Sequence, residues 1–177
     1  VGNKFFLPNC FGEHIAVYDR GTGNYQMLKL MSLSVQQKDL HRFWTSIVYG
    51  DFIFFIGHYY PAIVKLDVHT MEMSYLTDWV EKIEKRRKLA AAPYLGIGIV
   101  EDNIATFPCC CTNAVLKLDL KTNETEVCEI PVHVDGMNGI CSAGNLYWLT
   151  VRNGPETVIW NKDSDSVEVL EIESRKK

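Results

Sequence analysis

The sequence lacks the features that mark several large functional classes. No apolar run approaches the roughly 20 residues of a membrane-spanning helix, so we expect no membrane partner. The formal net charge is -4, and because nucleic-acid binding relies on Lys and Arg at phosphates, we expect no nucleic-acid partner. Nucleophile elbows, metalloprotease helices, phosphate loops and dinucleotide fingerprints are also missing. The sequence therefore indicates a soluble globular protein, with no cofactor and no local signature of catalysis.

The cysteine pattern argues against a disulfide-stapled fold. Of the six cysteines, three are consecutive, at 109, 110 and 111, and this is a poor disulfide framework, so we expect reduced thiols and a cytoplasmic location. Cys109 and Cys111 could lie on one side of a strand and form a soft metal site with Cys10 and His58. The spacing matches no zinc pattern and free cysteine often packs as a small apolar residue, so we predict no metal.

What the sequence does contain is one segment repeated four times. An apolar stretch ends in Asp-x-x-Thr or a polar equivalent, and the copies place that first residue at Asp19, Asp67, Asp119 and Asn161. Sixteen positions earlier stands another turn residue, and these are Asn3, Asp51, Asn103 and Asn145. A spacing kept without a gap between two motifs in four copies indicates a repeated structural unit.

Each copy is predicted to be a small antiparallel sheet. Apolar residues alternate with a period of two, as in Val64 and Leu66, which is typical of strands. The Asp of the repeat suits a tight turn because its carboxylate can accept bonds from nearby main-chain N–H groups. Four-stranded units recurring after 48, 52 and 42 residues are typical of an all-β fold, the β-propeller, in which each unit is a blade. The predicted blades are 1–30, 44–77, 96–129 and 138–171.

At this level the sequence resembles a known group of repeats. The run Asp19-Arg20-Gly21-Thr22-Gly23 is similar to the strand-turn of propeller repeats of the YVTN and quinoprotein type. The resemblance covers nearly the whole chain and implies a propeller fold. It implies no activity, because the motif specifies the turn and no quinone-binding residue can be carried over. The double Gly of kelch repeats and the Trp-Asp of WD repeats are absent.

One insertion, near 78–92, is predicted to be helical. Asp78 would cap the helix, Glu81 follows three residues later, and Pro93 would end the segment. Trp79 would pack against a blade. Five basic residues would share the opposite face, and they are Lys82, Lys85, Arg86, Arg87 and Lys88. That face is either a solvated surface or a docking site for an acidic partner.

The first copy has no strand before its turn. Val1 directly precedes the Gly2-Asn3 pair, so blade one would lack its innermost strand, and the next strand would have unpaired main-chain groups. We therefore expect residues 1–177 to be one propeller region that belongs to a larger propeller or is completed by a second chain, as in a homo-oligomer. A closed ring of four blades is the alternative.

The loops between the second and third strands are predicted to form the ligand-binding face, because binding residues concentrate on loops held by a rigid scaffold. The candidates there are Cys10, His14, His58, Tyr59, Tyr60, Asn113, Arg152 and Glu156. We predict a non-catalytic module that binds a protein partner or a small ligand. One alternative is a propeller enzyme resembling the streptogramin-inactivating lyases, with His14, His58 or Glu156 as acid or base. The other is a structural blade array in a larger protein.

Overall fold

Four antiparallel sheets contain nearly all of the regular structure. The computed structural model describes residues 1–9, 12–33 and 41–171. Within these ranges each sheet corresponds to one predicted blade, and its strands are hydrogen-bonded in chain order. Blade one has three strands and each of the others has four. The all-β prediction is therefore confirmed, including the first copy that lacks its innermost strand.

The strands of the first two blades are short and closely spaced. Blade one contains β1 (Lys4–Pro8), β2 (His14–Asp19) and β3 (Tyr25–Lys29). Blade two contains β4 (Phe43–Tyr49), β5 (Phe52–Gly57), β6 (Ile63–Asp67) and β7 (Met73–Leu76).

The other two blades follow a short helix. That helix is α1 (Val80–Glu84). Blade three contains β8 (Ile99–Glu101), β9 (Ile104–Pro108), β10 (Ala114–Asp119) and β11 (Thr125–Glu129). Blade four contains β12 (Met137–Ala143), β13 (Leu146–Val151), β14 (Glu156–Asn161) and β15 (Val167–Glu171).

The chain divides into two compact units, Val1–Thr77 and Asp78–Lys177. The first contains blades one and two, and the second contains the helix and blades three and four. A single propeller domain over 1–177 stays a prediction. Among the residues that the structure describes, no helix is long and apolar enough to cross a membrane.

The repeated Asp forms the same turn in every blade. In blade three the Oδ1 atom of Asp119 accepts hydrogen bonds from the main-chain N–H groups of Lys121 (2.7 Å) and Thr122 (3.0 Å). Asn161 does the same in blade four, since its amide oxygen is an equivalent acceptor. The fifth turn residue has positive φ in all four copies, and these residues are Gly23, Met71, Asn123 and Asp165. The predicted turn chemistry is thus present, and a left-handed residue completes it.

A main-chain hydrogen bond explains the fixed offset of sixteen residues. In each blade the residue after the repeated Asp or Asn donates its N–H to the carbonyl oxygen of the earlier turn residue. The pairs are Arg20 with Asn3 (2.9 Å), Val68 with Asp51 (3.0 Å), Leu120 with Asn103 (2.8 Å) and Lys162 with Asn145 (2.9 Å). A residue inserted within either strand of this hairpin would break the bond or shift the strand by one position, which would turn its apolar side chains outward.

Each unit contains one blade–blade interface, built from equivalent positions. In the first unit, Ile15 and Leu28 form a cross-strand pair on blade one, whose back face packs on Phe55 and Leu66 of blade two. We call the surface of a blade that contains the latter two positions its front face. In the second unit, the equivalent back-face pair of blade three, Val115 and Cys128, packs against the front face of blade four. The front-face residues of blade four in this core are Tyr147, Leu149, Val158 and Trp160.

The predicted helical insertion is mostly not helical. The helix is limited to five residues, and its N-cap is Trp79 without a side-chain capping bond, so the prediction of Asp78 as the cap is wrong. Asp78 instead accepts a hydrogen bond of 2.7 Å from the hydroxyl of Thr125 on β11. Trp79 and Ile83 are fully buried. The apolar side of the segment therefore packs on the second unit, as the sequence predicted for Trp79.

The basic residues of the insertion do not form a free cationic surface. Lys85 is paired with Glu81, Arg86 with Glu129, and Arg87 with Glu84. The Nζ of Lys88 donates to the carbonyl oxygen of Val134 at 2.9 Å. Four of the five predicted docking cations thus have a partner within the chain. The interpretation as a docking site for an acidic partner loses its support.

Candidate functional site

The loops that connect the second and third strands lie where the sequence placed them. They follow β1, β5, β9 and β13, and each is about five residues long. In blades two to four a residue near the beginning of the loop donates its N–H to a carbonyl oxygen sixteen residues earlier, in the segment that leads into the innermost strand. The pairs are His58 with Arg42 (2.7 Å), Cys110 with Tyr94 (2.8 Å) and Arg152 with Gly136 (2.9 Å). Each loop is thus anchored to the innermost strand of its own blade.

An aromatic cluster stands at this place in blade two. The ring of Trp44, on β4, lies 4.4 Å from the ring of His58, and His58 contacts the ring of Tyr59 edge-on at 5.0 Å. His41 approaches Trp44 from another side at 6.4 Å. Trp44 is 49% exposed whereas His58 is 7% exposed. We call these four residues the blade-two aromatic cluster. In it the exposed indole ring of Trp44 packs on the ring of His58.

Tyr60, another predicted ligand-binding residue, belongs to the core. It is fully buried, and its hydroxyl donates a hydrogen bond of 2.7 Å to the carbonyl oxygen of Met31. Burial raises the pKa of the Tyr60 phenol well above its usual value. The guanidinium of Arg42 lies 5.8 Å from the ring centre. Tyr60 therefore packs beneath the loop as a core residue, and because its ring is fully buried an external ligand does not contact it.

The two blade-one candidates differ in what the structure says of them. Cys10 lies outside the described residues. His14 is half-buried at the start of β2, where it pairs across the sheet with Lys29. The described contacts show no link between His14 and the aromatic cluster of blade two.

The cysteine triplet is interior. Cys109, Cys110 and Cys111 are all fully buried. Burial raises the pKa of the Cys110 thiol to about 12 and that of Cys111 to about 11. In the part of the chain that the structure describes, no three His, Cys, Asp or Glu side chains converge as metal ligands. The triplet therefore packs as apolar side chains do, and its sulfurs do not form an accessible site.

Asn113, the ligand-binding candidate in the loop of blade three, has a structural role. It is 7% exposed. Its Nδ2 donates to the carbonyl oxygens of Ile130 (2.9 Å) and Val132 (3.2 Å), and its own carbonyl oxygen accepts from the N–H of Ile130 (2.8 Å). It thereby fixes the connection that leads from blade three to blade four. Buried amides with this many partners are seldom ligand contacts, because each bond would have to be replaced.

In blade four the equivalent place holds an arginine and an amide. The Nη1 of Arg152 donates 3.0 Å to the Oδ1 of Asn138 on β12. Arg152 and Asn138 occupy the positions that His58 and Trp44 occupy in blade two. The same scaffold position thus carries an aromatic pair in one blade and a polar pair in another. Such variation on a constant framework is typical of loops that determine binding.

Glu156, the last candidate, lines a groove in the second unit. The groove has a volume of about 530 Å³. Valines form much of its wall, and polar groups are contributed by His133, Asp135, Asn153 and Glu156. Arg152 is not among its lining residues. Glu156 and Arg152 are therefore neighbours in sequence that face different surroundings.

A larger cavity of about 740 Å³ lies at the turn end of blade three. It is acidic, and three of the six carboxylates that line it bond to other groups of the chain. Glu101 accepts from Lys162 (2.9 Å) and from the hydroxyl of Tyr147 (2.7 Å), and the Lys162 hydrogen bond lowers the pKa of Glu101. Asp78 is bonded to Thr125, and Asp119 forms its own turn. These contacts make the cavity part of the blade framework.

Comparison with known proteins identifies the fold only. No protein-family profile matches the chain, and no curated protein matches it in sequence. Solved structures do match. A streptogramin B lyase is 12% identical with a TM-score of 0.63 and aligns with 98% of this chain and 52% of its own length. The virginiamycin B lyase of Staphylococcus aureus is 14% identical, with a TM-score of 0.63 and coverages of 97% and 53%.

A third neighbour comes from a different functional class. A structure of a nidogen/laminin complex is 9% identical, with a TM-score of 0.56, and aligns with 97% of this chain and 60% of its own length. Identities this low show the fold and nothing more. The chain has the β-propeller fold, and it spans about half the length of the lyase structures that it matches.

Sequence reasoning missed Trp44 and Arg42. The ligand-binding candidates came only from the loops between the second and third strands, whereas Arg42 directly precedes β4 and Trp44 lies on it. A signal was present, because Arg42 lies sixteen residues before His58 and the offset of sixteen already linked the two turns of each blade. Counting sixteen residues back from the first position of the His58 loop leads to Arg42, and this would have placed the start of the innermost strand next to the loop.

Proposed function

We propose that this chain is a non-catalytic propeller module whose ligand contacts the blade-two aromatic cluster. The observation that supports the proposal is the exposed indole of Trp44, held 4.4 Å from the nearly buried ring of His58. A Trp on a strand loses little side-chain entropy on binding and offers a large apolar face, which is why Trp is enriched at binding hot spots.

The ligand class follows from the cluster. A flat apolar group, on a protein partner or a small molecule, would stack on Trp44, and the neighbouring His41 and Tyr59 would supply polar atoms at the edge of the contact. The packing of His58 behind the indole holds the ring in place before the ligand arrives, which lowers the cost of binding. The nidogen/laminin neighbour shows that this fold occurs in a protein complex.

A fragment experiment tests the proposal without knowledge of the natural ligand. A cocktail of small aromatic and heteroaromatic compounds is added to ¹⁵N-labelled protein, and the indole N–H signals of the four tryptophans are followed. We expect the Trp44 signal to shift, and the hits to bind at least tenfold more weakly to Trp44→Ala. Trp148→Ala serves as the control, because Trp148 is also partly exposed but lies on β13. Hits that shift other indoles, or that bind Trp44→Ala unchanged, would reject the site.

The enzymatic alternative is supported by the lyase neighbours in fold alone. It assigns acid–base work to His14, His58 or Glu156. The nearly complete burial of His58 between Trp44 and Tyr59 counts against a proton-transfer role for it. Incubation with a streptogramin B antibiotic and a divalent cation tests the alternative directly. Turnover that His58→Ala abolishes would replace the binding proposal.

A further inference from the structure

The second unit contains two Asn-Gly steps, Asn138-Gly139 and Asn153-Gly154. Such a step is chemically labile because glycine has no Cβ to hinder its main-chain nitrogen, which can reach the side-chain carbonyl carbon of the preceding asparagine. Attack closes a five-membered imide ring and releases ammonia. The reaction is fast only where the fold leaves the glycine nitrogen and the asparagine side chain free to approach each other.

The Asn138 step is held in place by three hydrogen bonds. It lies within β12, where the N–H of Gly139 donates to the Oγ1 of Thr150 at 3.0 Å. The main-chain carbonyl oxygen of Asn138 accepts from the N–H of Ile97 at 2.8 Å. Its side-chain oxygen accepts from the Nη1 of Arg152 at 3.0 Å. Both reacting groups thus have other partners, and the strand must open locally before they can react.

The Asn153 step lies in the loop between β13 and β14. Both Asn153 and Gly154 are exposed. Within the part of the chain that the structure describes, neither the Asn153 side chain nor the N–H of Gly154 forms a hydrogen bond. The carboxylate of Glu156 occupies the space that a Cβ on residue 154 would take, so a larger residue there would displace it. Short exposed loops change their dihedral angles more easily than strands do, and this allows the ring to close.

We propose that Asn153 is a site of spontaneous deamidation, whereas the fold protects Asn138. The main-chain nitrogen of Gly154 loses its proton to solvent and forms a bond with the Cγ of Asn153. The bond between Cγ and Nδ2 breaks, and Nδ2 takes up a proton and leaves as ammonia. Water then adds to either carbonyl carbon of the imide, which yields aspartate or isoaspartate at this position. The steps need water alone, with no oxidant or reductant.

The reaction changes the charge of the groove in the second unit. Asn153 lines this groove together with Glu156, Asp135 and His133. Either product adds a carboxylate beside the two that are already present, and the described lining residues include neither Lys nor Arg. Isoaspartate also adds one carbon atom to the main chain of the loop. The negative potential of the groove therefore increases with the age of the protein molecule.

Both steps can be followed in one peptide. No lysine lies between Lys121 and Lys162, so cleavage after lysine gives a peptide, 122–162, that contains both asparagines. The protein is incubated at mildly alkaline pH, either folded or unfolded in guanidinium chloride, and fragment-ion mass spectrometry measures amide loss at each position over time. We expect Asn153 to react at similar rates in both samples. Asn138 should react at least about tenfold more slowly in the folded protein.

Two variants separate the causes. Gly154→Ala places a methyl group beside the attacking nitrogen and should slow the loss at Asn153 about tenfold, with Asn138 unchanged. Thr150→Val removes the acceptor of the Gly139 N–H and should speed the loss at Asn138, with Asn153 unchanged. Circular dichroism checks that both variants are folded.

Three results would overturn the proposal. The first is a folded protein in which Asn153 reacts as slowly as Asn138. The second is amide loss at Asn153 that Gly154→Ala leaves unchanged, because the imide route would then be excluded. The third is the absence of isoaspartate from incubated wild-type protein, measured by labelling with an isoaspartate-specific methyltransferase, since hydrolysis of the imide produces it.

Discussion

The guanidinium of Arg87 binds the carboxylate of Glu84 through two hydrogen bonds. Nε donates to Oε2 at 2.8 Å and Nη2 to Oε1 at 2.9 Å, which is the bidentate geometry that favours Arg over Lys. The same guanidinium lies 4.7 Å from the ring centre of Tyr94 and donates through Nη1 to the carbonyl oxygen of Ala92 at 2.7 Å. Only 8% of the Arg87 side chain is exposed. This residue joins α1 to the inner strand region of blade three.

Loss of Arg87 should therefore destabilise the second unit. We expect Arg87→Ala to lower the free energy of unfolding by about 3 kcal/mol, because the variant leaves Glu84 and a main-chain carbonyl without their partner. Lys85→Ala is the matched control from the same segment, since Lys85 and Glu81 form an exposed pair. Urea unfolding of the two variants measures the difference. Equal effects of the two changes would contradict the assigned role of Arg87.

The Asp residues of the repeated turns should make the free energy of unfolding decrease at acidic pH. Hydrogen bonds from the main-chain N–H groups of Thr122 and Lys121 lower the pKa of Asp119. Because the folded pKa is below the unfolded one, the contribution of Asp119 to stability is fully present above the unfolded pKa, and is lost as the pH falls through the folded pKa.

Two exchanges of Asp and Asn isolate this contribution. Asp119→Asn keeps the acceptor oxygen and removes the titration, so the loss of stability on acidification should be smaller than in the wild type. Asn161→Asp should enlarge it, since the same turn geometry would then hold a carboxylate. Melting temperatures measured from pH 6 down to about pH 3 compare the two. Parallel acid profiles for all three proteins would rule out the turn as a source of acid sensitivity.

The residue with positive φ in the Asp119 turn of blade three can be replaced to gain stability. Asn123 has a φ of 66°, and its Oδ1 is buried without a hydrogen-bond partner. Asn123→Gly removes both costs, and we expect a gain in unfolding free energy of about 1 kcal/mol after the added flexibility of the unfolded chain. Gly23→Ala, at the equivalent position with a φ of 72°, should lose about 1 kcal/mol. Chemical denaturation measures both; a less stable Asn123→Gly protein would contradict the argument.

The thiols should differ sharply in reactivity. Because burial raises the pKa of Cys111 to about 11, about one thiol in a thousand is ionised at pH 8. Cys141 is exposed on β12. In a Cys10→Ser background, Ellman's reagent should modify Cys141 quickly and the triplet only after unfolding. Mass spectrometry of a briefly treated sample identifies the site, and label on Cys110 in folded protein would overturn the prediction.

The sheets and turns were predictable because their causes are local. Alternation of apolar residues defines a strand, and the carboxylate of Asp19 or Asp119 closes its turn with atoms two and three residues away. Nothing beyond a short window of sequence is needed for either. The constant offset of sixteen residues also indicated which two turns lie close together in each blade, where a main-chain hydrogen bond joins them.

The candidate site was less predictable because burial depends on distant segments. Asn113 is covered by the connection at residues 130–132, which accepts hydrogen bonds from its side-chain Nδ2 and donates one to its main-chain carbonyl oxygen, and no local pattern shows that contact. Tyr60 is fixed by the carbonyl of Met31, in the segment that follows blade one. Trp44 stays exposed although it lies in a strand full of apolar residues. The composition of the loop therefore does not show which rings face outward.

The main-chain hydrogen bond between the two turns of each blade also affects where the chain can accept added residues. A residue added within one of the two strands that the bond joins would shift the register, whereas the loop between these strands and the segments between blades lie outside that constraint. Between blades the repeats already differ in length by up to ten residues. A reporter or a cleavage site would accordingly be tolerated in the connections between blades and in the loops between the second and third strands, and not within the strands themselves.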